Sequence, residues 1–244
     1  MPRTVPFVAF ALLALYAGPA AAQSTAWGTN GYISFNALVD VASTTYDTVT
    51  DLEINAEQTQ VTATHDFGLL PVFDITAGGR IKGNLGIGFA FSYAKRSEDA
   101  RVTGEIPHPF YFGQPRTLDA TTPLDREDIA VHIHGMYLLQ VSRPFQISVF
   151  GGPTWFRVNQ ETIKTITFHE EYPYDTVTLD KVTTDKVEAS RWGYNAGFDA
   201  SYFFSRQVGV HGIVRYSIAS ITLGSSPAQD IGGLQVGAGL RIRY

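Results

Sequence analysis

Apolar residues alternate one for one with small or polar residues along much of this chain, the period of a β-strand with two unlike faces. Residues 85–94 (LGIGFAFSYA) put Leu85, Ile87, Phe89, Phe91 and Tyr93 on one face and Gly86, Gly88, Ala90, Ser92 and Ala94 on the other. A half-buried strand of a soluble sandwich would carry Lys, Glu or Thr on its second face. Here that face is tiny and uncharged, which suits a concave inner wall. Segments 192–204, 208–218 and 233–244 repeat the pattern, with bulky apolar residues on one side and mostly Gly, Ser, Asn, His and Arg on the other.

Eight strands follow, at about 31–42, 71–82, 85–97, 128–141, 145–158, 188–204, 208–222 and 231–244. Tight connections at 83–84, 142–144 and 205–207 alternate with the links 43–70, 98–127, 159–187 and 223–230, three of them long. That wiring predicts an all-β, eight-stranded antiparallel up-and-down transmembrane β-barrel with short periplasmic turns and long extracellular loops. Closing the tight hairpins places Asp74 opposite Ser92, Gln140 opposite Gln146 and Asp199 opposite Ile213, inner face against inner face each time. Trp192, Tyr194, Tyr202, Phe204 and Tyr244 fall toward strand ends, as the aromatic girdles of such barrels do. Pro153, Trp155 and Arg157 fit the pattern poorly and point to a bulge near Gly151-Gly152 that shifts the faces of its strand. A secreted soluble barrel of the lipocalin kind would need a polar exterior and an apolar cavity, the reverse of these faces.

The N-terminus reads as an export signal. Arg3 gives a positive start, 7–16 (FVAFALLALY) is too short to span a bilayer as a helix, and Ala20-Ala21-Ala22 offers a cleavage site before Gln23. Residues 1–22 are thus expected to be removed, leaving 23–244 as one barrel domain. The 244 residues carry a net charge of −5 and no Cys. No basic footprint for nucleic acid exists, and thiol nucleophiles, thiolate metal sites and disulfides are excluded.

With its alternating wiring, export signal and final strand LQVGAGLRIRY, the chain resembles the small eight-stranded bacterial outer-membrane barrels, the group of the OmpA transmembrane domain, OmpX and Ail. The ending, with Leu240, Ile242 and Tyr244, resembles the signal read by the outer-membrane assembly machinery. The resemblance implies a monomer in the Gram-negative outer membrane, in contact with outer-membrane lipid and lipopolysaccharide, and with no cofactor.

The inward positions include Asp40, Asp74, Arg80, His132, His134, Arg191, Asp199, His211, Arg215 and Arg241. Eight strands leave an interior that side chains can fill, so these residues are expected to form a polar, salt-bridged plug. Asp199 is expected to pair with His211 or Arg215 on the next strand. A narrow pore for small solutes is the functional alternative, and a metal site at His132 and His134 a weaker one. Residues 160–186, and in like manner 43–67, are expected to rise as protruding hairpins. The Pro-aromatic stretch in 98–127 either contacts a partner or the lipopolysaccharide surface, or packs down as a cap over the barrel mouth. Loops 98–127 and 160–186 therefore suggest a structural or surface-interaction role without enzymatic activity. A lipid A-modifying enzyme is the other alternative, but no catalytic motif is recognisable.

Overall fold

The computed structural model describes residues 30–41, 44–222 and 228–244. The export segment 1–22 lies outside the described residues. The ten antiparallel strands are β1 (Gly31–Asp40), β2 (Thr44–Ile54), β3 (Glu57–Phe67), β4 (Leu70–Lys82), β5 (Leu85–Ile106), β6 (Arg116–Gln140), β7 (Phe145–His169), β8 (Thr178–Phe203), β9 (Val208–Ile221) and β10 (Gln229–Arg243). Eight of them close a ring in the order β1, β4, β5, β6, β7, β8, β9, β10, with β10 returning to β1. Closure removes the free edges of these strands.

The three hairpin registers match the alternation: Asp74 lies opposite Ser92, Gln140 opposite Gln146 and Asp199 opposite Ile213. The tight turns lie together at one end, where Asn30 N also donates to Tyr244 O at 2.8 Å. Around the ring the outer face is apolar and exposed, with Phe35, Phe73, Phe89, Phe198 and Leu240 among its members. From Leu85 to Tyr93 this row covers eight steps of ~3.3 Å; at a tilt of ~40° that is roughly 20 Å of height, close to the ~25 Å apolar band of membrane barrels.

The inner wall is small because the lumen is narrow. A Cβ on Gly88 would stand 2.5 Å from Met136 Cε, and one on Gly239 would stand 2.1 Å from Asn36 Oδ1. The bulge expected at Gly151-Gly152 is not formed. The β6–β7 register runs unshifted from Gln140–Gln146 through His132–Thr154, so Pro153, Trp155 and Arg157 simply face outward. β7 shifts register higher up, between Ile163 and Thr165.

Three hairpins stand above the ring. β5 and β6 pair as far as Ile106 and Arg116, and β7 and β8 as far as His169 and Thr178. The stretch 98–127 is therefore mostly strand rather than loop. β2 and β3 form the third hairpin, and β3 joins the upper edge of β5. Above Arg126 and Gln160 the β6–β7 ladder ends. This leaves a sheet of β2, β3, β5 and β6 on one side and the β7–β8 hairpin on the other. Between them lies an apolar core that includes Val61, Val102, Ile106, Leu118, Leu124 and Ile163. Thr50 Oγ1 donates to Ile163 O at 3.0 Å across the gap. The upper structure is a two-layered head with its own core.

Candidate functional site: a filled lumen beneath tied hairpin tips

Two buried ion pairs organise the lumen. Asp74, fully buried, receives Arg215 Nη1 at 2.9 Å, Asn36 Nδ2 at 2.6 Å, Ser92 Oγ at 2.6 Å and Thr76 Oγ1 at 2.9 Å. Arg215 spends its other donors on Gln235 Oε1 and Ser92 Oγ. Asp199 takes a forked contact from Arg241, at 2.8 and 3.1 Å, and bonds from Ser148 and Ser201. The Arg241 guanidinium also lies 4.1 Å over the Tyr32 ring. Both carboxylates have several donors, which is what makes a buried charge tolerable.

Asn36 and His211 join the two pairs. Asn36 gives its amide to Asp74, so its Oδ1 accepts from His211 Nε2 at 2.7 Å. His211 Nδ1 then faces Arg241 Nη2 at 3.3 Å and, since guanidinium only donates, acts as the acceptor. On the other side Ser92 contacts His132 Nε2 at 3.1 Å, while His132 Nδ1 contacts Thr154, which accepts from Asn195. The lumen is thus crossed by one connected polar network.

Of the expected plug residues, Asp74, His132, His134, Asp199, His211, Arg215 and Arg241 are buried in the lumen, and Asp40 is half-buried at its upper rim. Arg80 and Arg191 do not join them; both are exposed. Arg80 lies beside the β4–β5 turn, and Arg191 lies above Tyr194, where the β8–β9 ladder ends. Asp199 does not take its expected partners, since Arg241 reaches it from two strands away and Arg215 is held by Asp74. In a narrow closed barrel, inward side chains converge on the axis, and partners are chosen by height and reach rather than by ladder neighbour.

For the metal reading at His132 and His134, no third His, Asp or Glu completes a ligand group with them among the described residues. Both nitrogens of His132 are engaged, and the two imidazoles stack at 5.9 Å. Ser92, His132 and Asp74 also fail as a nucleophilic set. The carboxylate holds the serine hydroxyl instead of the imidazole, and all three residues are sealed from solvent.

A small cavity of about 70 Å³ separates the plug from the head, bordered by Leu70, Val72, Ala94, Phe156 and Gln235. Above it, the pairs Arg96–Glu98 (3.1 Å) and Arg126–Asp128 (2.9 Å) form a charged collar under the head core.

The hairpin tips are tied to one another. Asn55 Nδ2 at the β2–β3 turn donates to Pro107 O at 3.1 Å. Arg116 donates to Pro107 O, to Tyr174 O and, at 2.5 Å, to Glu170 on the β7–β8 tip. The Phe110 and Tyr174 rings meet edge on at 5.4 Å. The Pro-aromatic stretch consequently does not fold down over the barrel mouth. It is held at the far end of the head, with Phe110 68%, Tyr111 59% and Phe112 81% exposed. Beside Arg101, the Asp119 carboxyl is held below the usual carboxylate range by that guanidinium's hydrogen bonds.

The sequence matches no protein-family model and no curated protein. Among solved structures it is similar to Neisserial surface protein A, at 11% identity and a TM-score of 0.46 over 88% of this chain and 97% of that one. It is similar to the outer membrane protein OprG from Pseudomonas aeruginosa, at 10% identity and a TM-score of 0.48 over 88% and 96%. It is also similar to Ail, the attachment invasion locus protein of Yersinia pestis, at 8% identity and a TM-score of 0.39 over 87% and 99%. At such values the class rests on the ring closure and apolar exterior of this chain itself. By those features the chain is a small eight-stranded β-barrel of the outer-membrane type.

Proposed function

We propose that this protein is a non-enzymatic surface-recognition protein of the outer membrane, in which a closed barrel anchors a head that binds a partner outside the cell. One observation carries the reading: the three long hairpins bury an apolar core of their own, away from the lipid-facing band. Loops that served only to connect strands would not need a second core. The filled lumen supports an anchoring role for the barrel rather than conduction. Above Tyr194 the edge of β8 away from β7 pairs with no strand among the described residues, and exposed edges are one means of recruiting a protein. The barrel is a monomer with its short turns in the periplasm and its exterior in lipid and lipopolysaccharide. Leu240, Ile242 and Tyr244 are the proposed contact with the assembly machinery.

The test compares cells displaying the full chain with cells displaying a barrel whose hairpins are cut back and rejoined at paired positions, such as Glu161 to Lys186. Attachment to surfaces coated with candidate host proteins should vanish with the head, while heat-dependent gel mobility of the barrel persists. Attachment that survives head removal would refute the reading. Steady ion conductance of the full chain in a planar bilayer would favour a pore instead.

A further inference from the structure

We propose that the tied hairpin tips form a docking face for a basic protein segment, one that presents Arg or Lys to exposed aromatic rings set among carboxylates. The proposal rests on the surface-recognition reading and names the partner chemistry of that same head. Phe110, Tyr111, Phe112 and Tyr172 all stand more than half exposed at the end farthest from the membrane band, Tyr172 at 87%. From Lys95 to Ile106, β5 rises ~36 Å along its own axis above that band, so these rings are beyond the reach of the lipid that covers the barrel. The backbone that carries them is held in place. Arg116 fixes the two aromatic-bearing tips to each other, Asn55 adds the third, and His108 Nδ1 accepts from Phe110 N at 3.1 Å and Tyr111 N at 3.3 Å. A backbone already tied in place loses less freedom on binding than a mobile loop.

Charge selects the partner. The segments 44–67, 95–127 and 159–188 hold 18 acidic and 8 basic residues, a net −10 in a chain whose total is −5. The concentration is greatest at the tips. Stretches 53–58, 105–116 and 169–178 contain six carboxylates and one Arg. That cation, Arg116, is buried and already shared with Glu170. Glu171 and Asp175 flank Tyr172 and Tyr174 on the open side. Ring faces attract a cation through their quadrupole, and neighbouring carboxylates add to that attraction and repel an anionic surface. An anionic lipid or polysaccharide is disfavoured by the same field.

The test measures binding of a fluorescein-labelled Arg-Gly repeat peptide to the full chain in detergent micelles, with Ser-Gly and Glu-Gly repeats as controls. Phe112→Ser with Tyr172→Ser should weaken Arg-Gly binding about tenfold, and Glu171→Gln with Asp175→Asn by a similar factor. Asp47→Asn with Asp51→Asn removes equal charge from β2, away from the tips, and should change binding little. Unchanged gel mobility and protease resistance of the head show that each variant folds. Equal loss from the β2 variant would mean bulk charge alone binds, and the proposal fails. It fails as well if Ser-Gly binds like Arg-Gly, or if phosphatidylcholine vesicles bind through the tips and the peptide does not. If head removal abolishes surface attachment but the tip variants leave it intact, this docking face is wrong while the surface-recognition reading stands.

Discussion

Strand β5 turns Phe91 outward and Ser92 inward, yet eight residues further on it turns Asp99 outward and Ala100 inward. β6 does the same, with Val131 outside and His132 inside below, and Asp119 outside and Leu118 inside above. The parity of the strands never changes over these residues. The surroundings do, at the outward row of Lys95, Glu127, Asn159 and Glu188. Below that row the exterior is lipid and the interior must satisfy ions. Above it the exterior is water and the interior must exclude it. One pair of continuous strands thus obeys the membrane pattern and the soluble pattern in succession. Head and barrel are accordingly two cores sharing a backbone, and they should fail separately.

The largest separation is expected from the lumen. Arg241→Met strands Asp199 in the interior and should cost about 4 kcal/mol, as breaking a buried pair does. Adding Asp199→Leu should return most of the loss, because the remaining groups then leave no unpaired charge. A double variant no more stable than the single one would mean that the hydrogen bonds, rather than the ion pair, hold the plug.

Next comes the outer band. Phe89→Lys places an ammonium near mid-height on the lipid face and should cost roughly 3 kcal/mol of barrel stability. Leu118→Ala, in the head core, should cost roughly 2 to 3 kcal/mol. That loss should appear as protease cleavage within 98–127, with the barrel's gel mobility untouched. If Leu118→Ala shifts the barrel transition as well, the two cores are one cooperative unit.

The barrel is legible in the sequence because lipid demands an unbroken apolar row, and Leu85 to Tyr93 supplies one that no soluble strand would carry. The head is less legible for the complementary reason. The row ends at Tyr93 and Ile129, and beyond it Lys95, Asp99, Arg101 and Asp119 read as loop when the lipid face is the guide. Pro123 reinforces that reading, although it lies opposite Asp99 on a stretch of β6 that has lost β7 as a neighbour, an edge position where proline is tolerated. The inward alternation of Ala100, Val102, Leu118 and Leu124 is the signal that marks this second core. In the lumen, face parity identifies the buried ions but not their partners, since Arg215 crosses from β9 to Asp74 on β4. Arg80 and Arg191 show the other limit, because inner parity buries a side chain only where the ring is closed around it.

The smallest expected effect is the most specific to the inversion. Asp99→Lys reverses a charge on the outer face of the same strand as Phe89, ten residues higher and on the same parity. If water bathes that face, the substitution should change stability by no more than about 0.5 kcal/mol in either direction. Phe89→Lys and Asp99→Lys introduce the same ammonium on one side of β5, so propensity and side-chain entropy largely cancel between them. What remains is the medium each position meets. A loss at position 99 comparable to that at position 89 would place the upper hairpins in the bilayer, and the boundary at Lys95 and Glu127 would have to move upward. A neutral result at 99 beside a large loss at 89 fixes that boundary between the two positions.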